Sequence, residues 1–388
     1  MKTVRQDPTS PSFVQDPYPY YRLARAEGDF VFWQDYGMTA AVTHRAVDAV
    51  MRDPRFARVP LEGFSKAPDH LKAFAALEAR SLLNLAPPEH TDLRAAVMRN
   101  MTTGRIKALA PQIETIAKSL IDAFPDASFD LMSSFCNALP VQAIAALLGV
   151  PISASTELLT WSRAMCALYR ASPSANEEAE AETASCDFHH WVTSLLDEKQ
   201  RAPGPDVLSD LAALECEGAI TRADSISTAV LLLNAGHEAT ALALGNAFAI
   251  LSDCNHRGPV GAELVEECLR IDPPLHLFIR WAQTDLELFG HKVAAGEQIA
   301  CLLGSANHDA AMFQDPTHFD TERTLKANAA FGVGRHFCLG AGLARLEMQI
   351  GLTALFHPQA KVRITNSPRY ADRYHFHGFD RIEVTRAG

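Results

Sequence analysis

The fold of this chain is decided by the stretch Phe331-Gly332-Val333-Gly334-Arg335-His336-Phe337-Cys338-Leu339-Gly340, which runs directly into a helical-looking sequence, residues 341–347. Its glycines permit positive φ angles and a close approach of the backbone to a flat ligand. The following helix start offers unpaired N–H groups and a positive dipole end, which favour the thiolate of Cys338 over the thiol. An isolated cysteine is more often buried and inert. Phe, three glycines and His at these offsets favour a metal-ligating thiolate instead.

A thiolate held on such a turn suits the axial position of haem iron, where it pushes electron density onto the metal. The ten residues resemble the haem-binding loop of the cytochrome P-450 family, Phe-Gly-x-Gly-x-His-x-Cys-x-Gly, at every fixed position. The resemblance implies haem b as the cofactor and Cys338 as the iron ligand. It also implies a mainly α fold with a minor β component, a triangular helical prism that encloses haem as a single domain over residues 1–388.

Composition excludes several other classes. The chain has 388 residues, 48% of them hydrophobic, and a formal net charge of −11. An acidic chain is a poor candidate for binding nucleic acid, which basic patches attract. We find no apolar run long enough for a transmembrane helix and no signal-peptide core, so no membrane attachment is expected. The eight cysteines lack a CxxC pair, and this pattern favours a reduced, cytoplasmic location.

Helical patterns dominate the sequence. Short strands are predicted within residues 30–42, 276–303 and 361–386, separated by turn residues such as Gly37, Gly290 and Gly378. Residues 55–88 are predicted to be mixed in structure, with Pro60, Gly63, Pro68, Pro87 and Pro88 marking loops. The predicted helices cover residues 17–24, 44–51, 90–101, 105–124, 139–148, 154–169, 176–199, 206–216, 222–252 and 261–271.

Glu267 and Arg270 lie three residues apart and so share one helix face. On their own they would be an ordinary surface pair. The P-450 family has a Glu-x-x-Arg at this place, followed by Pro-x-x-Phe-x-x-x-Arg, which the segment from Pro316 to Arg323 resembles. The resemblance implies that Arg323 joins Glu267 and Arg270 in a buried network that supports the haem-binding core.

Four further side chains match haem-propionate donors of the family in order and spacing. His90 and Arg94 follow Pro87-Pro88 at a spacing of four, which places both on one helix face. Arg280 and His336 match two later positions. Each is unremarkable as an isolated polar residue, but four donors for two carboxylates are chemically sensible.

The predicted helix 222–252 carries Gly236, Glu238 and Thr240 in a stretch, residues 234–240, that we interpret as an interruption. It resembles the family's oxygen-activation motif, Ala/Gly-Gly-x-Asp/Glu-Thr-Thr, in which Gly makes room for dioxygen and the acid and first Thr deliver protons. Here Ala239 occupies the alcohol position. Thr240 is one residue later, about 100° around the helix, and normally faces elsewhere. We therefore expect a substrate hydroxyl to assist proton delivery from Glu238.

The resemblance places a mostly apolar substrate pocket along segments 60–84 and 163–175 and near the distal helix. His276 and His375 are candidate polar anchors, although ordinary packing histidines are equally consistent with the sequence. The predicted lining residues are Leu232, Ala235, Ala239, Leu275, Leu277, Phe278 and Phe376.

The leading hypothesis is a monooxygenase that inserts one oxygen atom from O2 into a modest-sized hydrophobic substrate by hydroxylation or O-dealkylation. Electrons would come from a [2Fe-2S] or similar ferredoxin and its reductase, docked on a basic face by electrostatic attraction. A peroxide-driven peroxygenase and a non-catalytic haem-binding sensor remain alternatives. The predicted basic face comprises Arg94, Arg99, Arg105, Lys107, Arg335 and Arg345.

Overall fold

The computed structural model describes residues 1–63, 68–169, 173–324 and 327–386, and it is mainly helical with a minor β component, as predicted. The α-helices are α1 (Pro11–Gln15), α2 (Tyr18–Ala26), α3 (His44–Arg52), α4 (Lys72–Ala79), α5 (Glu89–Met98), α6 (Thr103–Ala108), α7 (Ala110–Asp122), α8 (Ala138–Leu148), α9 (Ser155–Ala167), α10 (Ala175–Arg201), α11 (Val207–Cys216), α12 (Arg222–Asp253), α13 (Ala262–Ile271), α14 (Leu303–Asn307) and α15 (Ala341–Leu355). A π-helical turn covers Met132–Cys136, and 3-10 turns cover Ile152–Ala154 and Gly334–His336.

The long helix α12 is the central element of the helical part. A capping box starts it, in which the side chains of Thr221 and Asp224 bind each other's backbone N–H groups. Its apolar faces pack against α8, α10, α13 and α15. The helix is continuous from Arg222 to Asp253, so the expected interruption at residues 234–240 is wrong. Tertiary packing on several sides holds Gly236 in helical geometry despite its low propensity.

One other expectation about helices needs correction. The predicted helix 105–124 is two helices, α6 and α7, because the chain turns at Leu109 and restarts with Pro111 in the first turn. Within the mixed segment 55–88, residues Lys72–Ala79 form α4, which lacks a side-chain cap of its own. The carboxylate of Glu182 on α10 accepts from the backbone N–H groups of Ala73 and Phe74 instead. No local pattern could reveal a cap that is supplied 108 residues away.

The largest sheet has the strand order β1-β2-β3-β9-β6-β4. The pair β6–β9 is antiparallel and places Arg280 opposite Ile299, while β4 pairs with the far end of β6. Smaller sheets have the orders β10-β11-β5 and β7-β8. The strands are β1 (Lys2–Val4), β2 (Phe30–Trp33), β3 (Met38–Ala41), β4 (Phe56–Ala57), β5 (Phe129–Asp130), β6 (Leu277–Ala282), β7 (Leu286–Leu288), β8 (His291–Val293), β9 (Gln298–Leu302), β10 (Val362–Ile364) and β11 (Glu383–Arg386).

Candidate functional site

The loop around Cys338 has the glycine geometry that its sequence predicts. Gly332 and Gly334 adopt positive φ angles of 67° and 75°. A Cβ atom at Gly334 would lie 2.5 Å from the carbonyl oxygen of Met51, so the loop packs backbone to backbone against the end of α3. The Cys338 N–H donates to the Phe331 carbonyl at 3.0 Å, which closes the loop just before α15. The thiol is thus presented on a rigid turn.

The protonation of Cys338 differs from the expectation. Its side chain is accessible to solvent, yet the protein around the sulfur partly desolvates it and raises the pKa of the thiol. The N–H groups of Gly340 and Ala341 and the charges of Arg94 and Arg345 lower that pKa by less. The helix start alone therefore does not make a thiolate here. A coordinated metal ion would, because metal binding removes the thiol proton outright.

The four expected propionate donors lie near one another, although they come from three distant segments. The rings of His90 on α5 and His336 in the Cys338 loop are 4.3 Å apart between centroids. Arg280 on β6 is only 2% exposed and adds to the positive charge around His336. Arg94 donates from Nη2 to the carbonyl of Phe337 at 2.6 Å, directly beside the cysteine.

Among the described residues, these basic side chains lack a carboxylate in direct contact. No ion pair joins a carboxylate to Arg58, Arg280 or His336 at 4.0 Å or less, and Nε2 of buried His90 has no hydrogen-bond partner. The charge of Glu78 acts on Arg58 without forming such a pair. Burial and mutual repulsion lower the pKa of Arg58 to about 10 and of His336 to about 2. Buried positive charge without a counter-ion is costly. The donor set therefore fits a flat group that brings two carboxylates and a metal for Cys338, as haem does.

Glu267, Arg270 and Arg323 form the predicted network. Glu267 accepts from Nε and Nη2 of Arg270, each at 2.7 Å, in a bidentate pair whose side chains are 3% and 2% exposed. Nε of Arg323 lies 3.1 Å from both carboxylate oxygens of Glu267. The remaining N–H groups of the two arginines donate to backbone carbonyls of residues 307–318, including that of His318. The network thus ties α13 to the segment that leads into the Cys338 loop.

On the distal helix, Ala235, Glu238 and Ala239 share the less buried side of α12, and Ala235 is exposed. Gly236 is partly buried between this side and α8. A Cβ atom there would lie 2.8 Å from Cγ1 of Ile144, so this glycine allows α12 to pack against α8. A role for Gly236 in making room for dioxygen stays a prediction.

Glu238 faces α9. Burial, and then the charge of the nearby Glu238 carboxylate, raise the pKa of Cys166 well above its usual value. Thr240 is 5% exposed and lies in the packed part of α12. His237 is also buried, and its Nδ1 lies 2.8 Å from the Leu233 carbonyl oxygen. Of the polar residues in this stretch, Glu238 therefore keeps access to the open side of the helix.

The predicted pocket residues are only partly brought together. Leu275 and Phe376 form a β-bridge, and Phe278 lies against Gly332 of the Cys338 loop, 3.3 Å from the position of a Cβ there. Leu232 is 7% exposed and packs in the helical core. Leu277 was wrongly assigned, because it packs with Tyr21 and other aromatic residues on the other face of the sheet. Because successive side chains of a strand point to opposite faces of the sheet, Leu277 lies on the other face from Phe278 and Arg280.

The two candidate polar anchors are engaged elsewhere. Nε2 of His375 lies 2.5 Å from the hydroxyl of Tyr36. His276 is fully buried, and its Nδ1 lies 2.8 Å from the hydroxyl of Tyr21. A role for either histidine as a polar anchor stays a prediction. Within the predicted pocket segments 60–84 and 163–175, residues 64–67 and 170–172 lie outside the described part of the chain.

Known proteins match this arrangement along nearly the whole chain. The family described as Cytochrome P450 matches residues 259–358. The cytochrome P450 monooxygenase PikC of Streptomyces venezuelae is 32% identical, covering 92% of this chain and 87% of its own length. The vitamin D(3) 25-hydroxylase of Pseudonocardia autotrophica is 31% identical over 99% of this chain and 97% of its own. The chain belongs to the cytochrome P450 family.

The crystal structure of P450BioI in complex with an acyl carrier protein carrying hexadec-9Z-enoic acid has a TM-score of 0.90. It is 26% identical and covers 97% of this chain and 99% of that one. This cytochrome P450 is accordingly a monooxygenase with haem b as its cofactor. Within the part of the chain that the structure describes, every helix is too short or too polar to cross a lipid bilayer.

The basic surface expected on this P450 is smaller than its cations suggest. Arg105 pairs with Asp210, and Arg345 pairs with Glu266 and stacks 4.5 Å above the ring of Phe331. These two arginines therefore stabilise contacts within the protein and are less available to an acidic partner. Arg99 and Lys107 are exposed, and no ion pair involving either is found among the described residues.

Sequence reasoning missed Arg58 and Cys166. Arg58 directly follows β4, and the pairing of β4 with β6 carries it toward Arg280 and His336. Cys166 lies near the end of α9 and reaches Glu238 through helix packing. No motif marks either residue. Cys166 lies within the predicted pocket segment 163–175, which does not single it out, and no local signal marks Arg58.

Proposed function

We propose that this cytochrome P450, as one domain over residues 1–388, hydroxylates or O-dealkylates a modest-sized hydrophobic organic substrate in the cytoplasm. Electrons come from a separate [2Fe-2S] or similar ferredoxin and its reductase. The observation that carries the proposal is the open side of α12, where Glu238 is accessible beside the small apolar residues Ala235 and Ala239. One acid on an otherwise apolar surface suits controlled proton delivery near a hydrophobic substrate.

Haem, once bound through Cys338, supplies the redox chemistry that activates dioxygen. The chain's own residues bind and orient it. His90, Arg94, Arg280 and His336 are the donors for its two propionates, and Arg58 adds a third guanidinium beside them. The network of Glu267, Arg270 and Arg323 positions the segment that carries the thiolate loop.

On the distal side, Glu238 relays protons to the reaction site through water. Cys166 on α9 lies beside the Glu238 carboxylate. Because Ala239 has no hydroxyl, this position of α12 supplies no alcohol beside the acid. A hydroxyl of the substrate takes that place. Thr240, buried one residue later, acts only as a packing residue.

The remaining surface around the substrate is apolar. Ala235 and Ala239 contribute small side chains, and Leu275, Phe278 and Phe376 contribute larger ones at the paired turn near β6. These residues bind by excluding water and by shape, which favours a substrate with few charged groups.

Two spectroscopic measurements test the proposal. The reduced protein with CO should show the red-shifted Soret band of a haem-thiolate protein. A screen of hydrophobic compounds should then find ligands that shift the ferric spin state, with hydroxyl-bearing members giving the better-coupled turnover. A protein without this Soret band, or with spin-shifting ligands that are never oxidised, would contradict a monooxygenase and favour a haem-binding sensor.

A peroxide-driven peroxygenase is the second candidate, and Ala239 is the observation that favours it. Such an enzyme needs no alcohol to deliver protons to dioxygen. The accessible acid Glu238 counts against it, because an apolar peroxide site has no use for that carboxylate. Steady turnover with hydrogen peroxide and no ferredoxin would reverse the order of the two candidates.

A further inference from the structure

A second group of potential metal ligands lies away from the Cys338 loop. Asp272 is the C-cap residue of α13, His276 immediately precedes β6, and His377 belongs to the C-terminal turn. Their exposed fractions are 5%, 0% and 0%. One ligating atom from each residue lies within 4.8 Å of the others. A carboxylate and two imidazoles in such proximity, fully removed from solvent, are rare without a specific role.

The backbone fixes the spacing of these residues. The N–H of His276 donates to the carbonyl of His375 at 3.3 Å, and the N–H of His377 donates to the carbonyl of Pro274 at 2.9 Å. The β-bridge between Leu275 and Phe376 lies between these two bonds. The two segments are thus held antiparallel, with both histidines beside the end of α13. This pre-organisation removes much of the entropic cost of assembling a ligand set.

The hydrogen bonds around the cluster orient the ligating atoms. Tyr21 donates its hydroxyl proton to Tyr374 at 2.7 Å, so its oxygen is left to accept from Nδ1–H of His276 at 2.8 Å. That arrangement leaves a lone pair on Nε2 of His276, which has no hydrogen-bond partner. Burial and the neighbouring His377 also lower the pKa of His276 well below its usual value, so the ring is neutral. Metal-binding histidines are held in the same way by their second nitrogen.

The carboxylate of Asp272 is prepared similarly. Tyr18 donates to its Oδ1 at 2.6 Å and Tyr370 donates to its Oδ2 at 2.8 Å. Burial opposes ionisation of Asp272, but His377 and the hydroxyl of Tyr18 hold its pKa below the usual value. The result is a buried carboxylate whose counter-charge must come from the cluster itself.

The observed distances suit a small divalent ion. Nε2 of His377 lies 3.3 Å from Oδ1 of Asp272, without hydrogen-bond geometry. Two ligands at about 2.0–2.1 Å from a tetrahedral zinc ion are separated by roughly 3.3–3.4 Å. The His276 atom lies within 4.8 Å of the other two, so an approach of at most about 1.5 Å completes a three-residue set. Water would supply the fourth position.

We propose that Asp272, His276 and His377 bind a divalent transition-metal ion, with Zn2+ as the first candidate, at a structural site separate from the haem. The ion neutralises the buried carboxylate and uses the free nitrogens of both histidines. It ties the end of α13, and with it the Glu267 network, to the turn that carries Phe376. The competing arrangement is a metal-free ion pair between Asp272 and a protonated His377.

The test uses the haem-loaded protein incubated with ZnCl2 and then freed of unbound metal by gel filtration. We expect about one zinc ion per haem and a higher unfolding temperature than after chelator treatment. X-ray absorption at the zinc edge, which haem iron does not obscure, should show nitrogen and oxygen ligands at about 2.0–2.1 Å with imidazole scattering. Absence of bound zinc, or a zinc shell without imidazole, would overturn the site and leave the ion pair.

Variants locate the ion. Asp272→Asn, His276→Gln and His377→Gln should each lose the stoichiometric zinc, and Tyr21→Phe should weaken its affinity about 10–100-fold. His308→Gln is the matched control, since this histidine is also buried nearby but lies outside the cluster, with Nε2 bound to the Ile271 carbonyl. Equal zinc in the control and the cluster variants would place the metal on exposed histidines such as His189 and His190 and refute the site. If a cluster variant fails to fold, the zinc-edge spectrum of the unmodified protein still decides.

Discussion

The proximal and distal sides of the haem site are built in different ways. On the proximal side, the Cys338 loop is fixed by glycine backbone geometry against α3, and the surrounding cations converge from three separate segments. On the distal side, one continuous helix presents a row of side chains, and Glu238 and Ala239 set its chemistry. A change on the proximal side should therefore cost haem and stability. A change on the distal side should cost only the coupling of oxygen consumption to product.

Cys338→Ser gives the largest expected effect. Serine fits the loop but is a poor ligand for haem iron, so the thiolate-type Soret band of the reduced CO complex and all monooxygenase activity should be lost. Cys216→Ser is the control, because this exposed cysteine ends α11 outside the site. An unchanged CO spectrum in Cys338→Ser would remove the basis of the proximal assignment.

Glu267→Ala should yield protein without haem. It leaves Arg270, 2% exposed, without its carboxylate, at a cost of about 3–5 kcal/mol of unfolding free energy. Chemical denaturation and the ratio of haem absorbance to protein absorbance measure both effects.

The adjacent Glu266→Ala is a matched control for that variant. Glu266 pairs with Arg345, whose side chain is 38% exposed, so its loss should cost no more than about 1 kcal/mol and leave haem incorporation intact. Normal haem content in Glu267→Ala would show that the network does not support the proximal core.

The sequence predicted the proximal side well for physical reasons. Gly332 and Gly334 have positive φ angles that other residues rarely adopt. Glu267 and its two arginines depend on one another, because each buried charge needs the opposite charge of its partner. These backbone and charge requirements allow few residue types at each position, so the positions can be recognised as sequence motifs. The pairing of Arg58 with this region depends on the contact of β4 with β6, which no local pattern encodes.

On the distal side, sequence alone did not determine which way each residue faces. Gly236 allows α12 to pack against Ile144, and Leu277 packs on the other face of the sheet from Phe278. His276 and His375 lie within hydrogen-bond distance of tyrosine hydroxyls. In each case the rotation of an element about its own axis decides the role, and that rotation is set by tertiary packing.

Glu238→Gln tests the distal proton donor. The amide keeps the shape of the side chain but cannot release a proton in the same way, so product formation should fall about 100-fold while the CO spectrum stays unchanged. Cys166→Ala removes a polar neighbour of this carboxylate and should change the rate by no more than a few-fold, or about 0.5–1.5 kcal/mol. Product formed per NADH consumed is the measurement. Loss of haem from Glu238→Gln would contradict the expectation that distal substitutions leave haem binding intact.

Ala239→Thr sharpens the distal comparison further. The new hydroxyl would lie on the open side of α12 beside Glu238 and replace the alcohol that the substrate is proposed to supply. With a substrate that lacks a hydroxyl, we expect hydrogen peroxide release to fall several-fold, because one added hydrogen bond stabilises the productive arrangement by about 1 kcal/mol. Ala235→Thr, four residues earlier on the same side, is the matched control. Equal peroxide release in wild type and Ala239→Thr would mean that another group already supplies the proton path.

The smallest effects are expected at the proximal surface, where partner docking leaves the haem untouched. Arg99→Glu and Lys107→Glu reverse exposed charges that have no ion-pair partner within the described residues. Each should slow reduction by an acidic ferredoxin several-fold at low salt and reduce the dependence of that rate on ionic strength, with little change in spectrum. Arg22→Glu, an exposed arginine of α2, controls for the change in net charge. Reduction that is insensitive to salt, or equally slowed by Arg22→Glu, would show that this surface does not receive the electron donor.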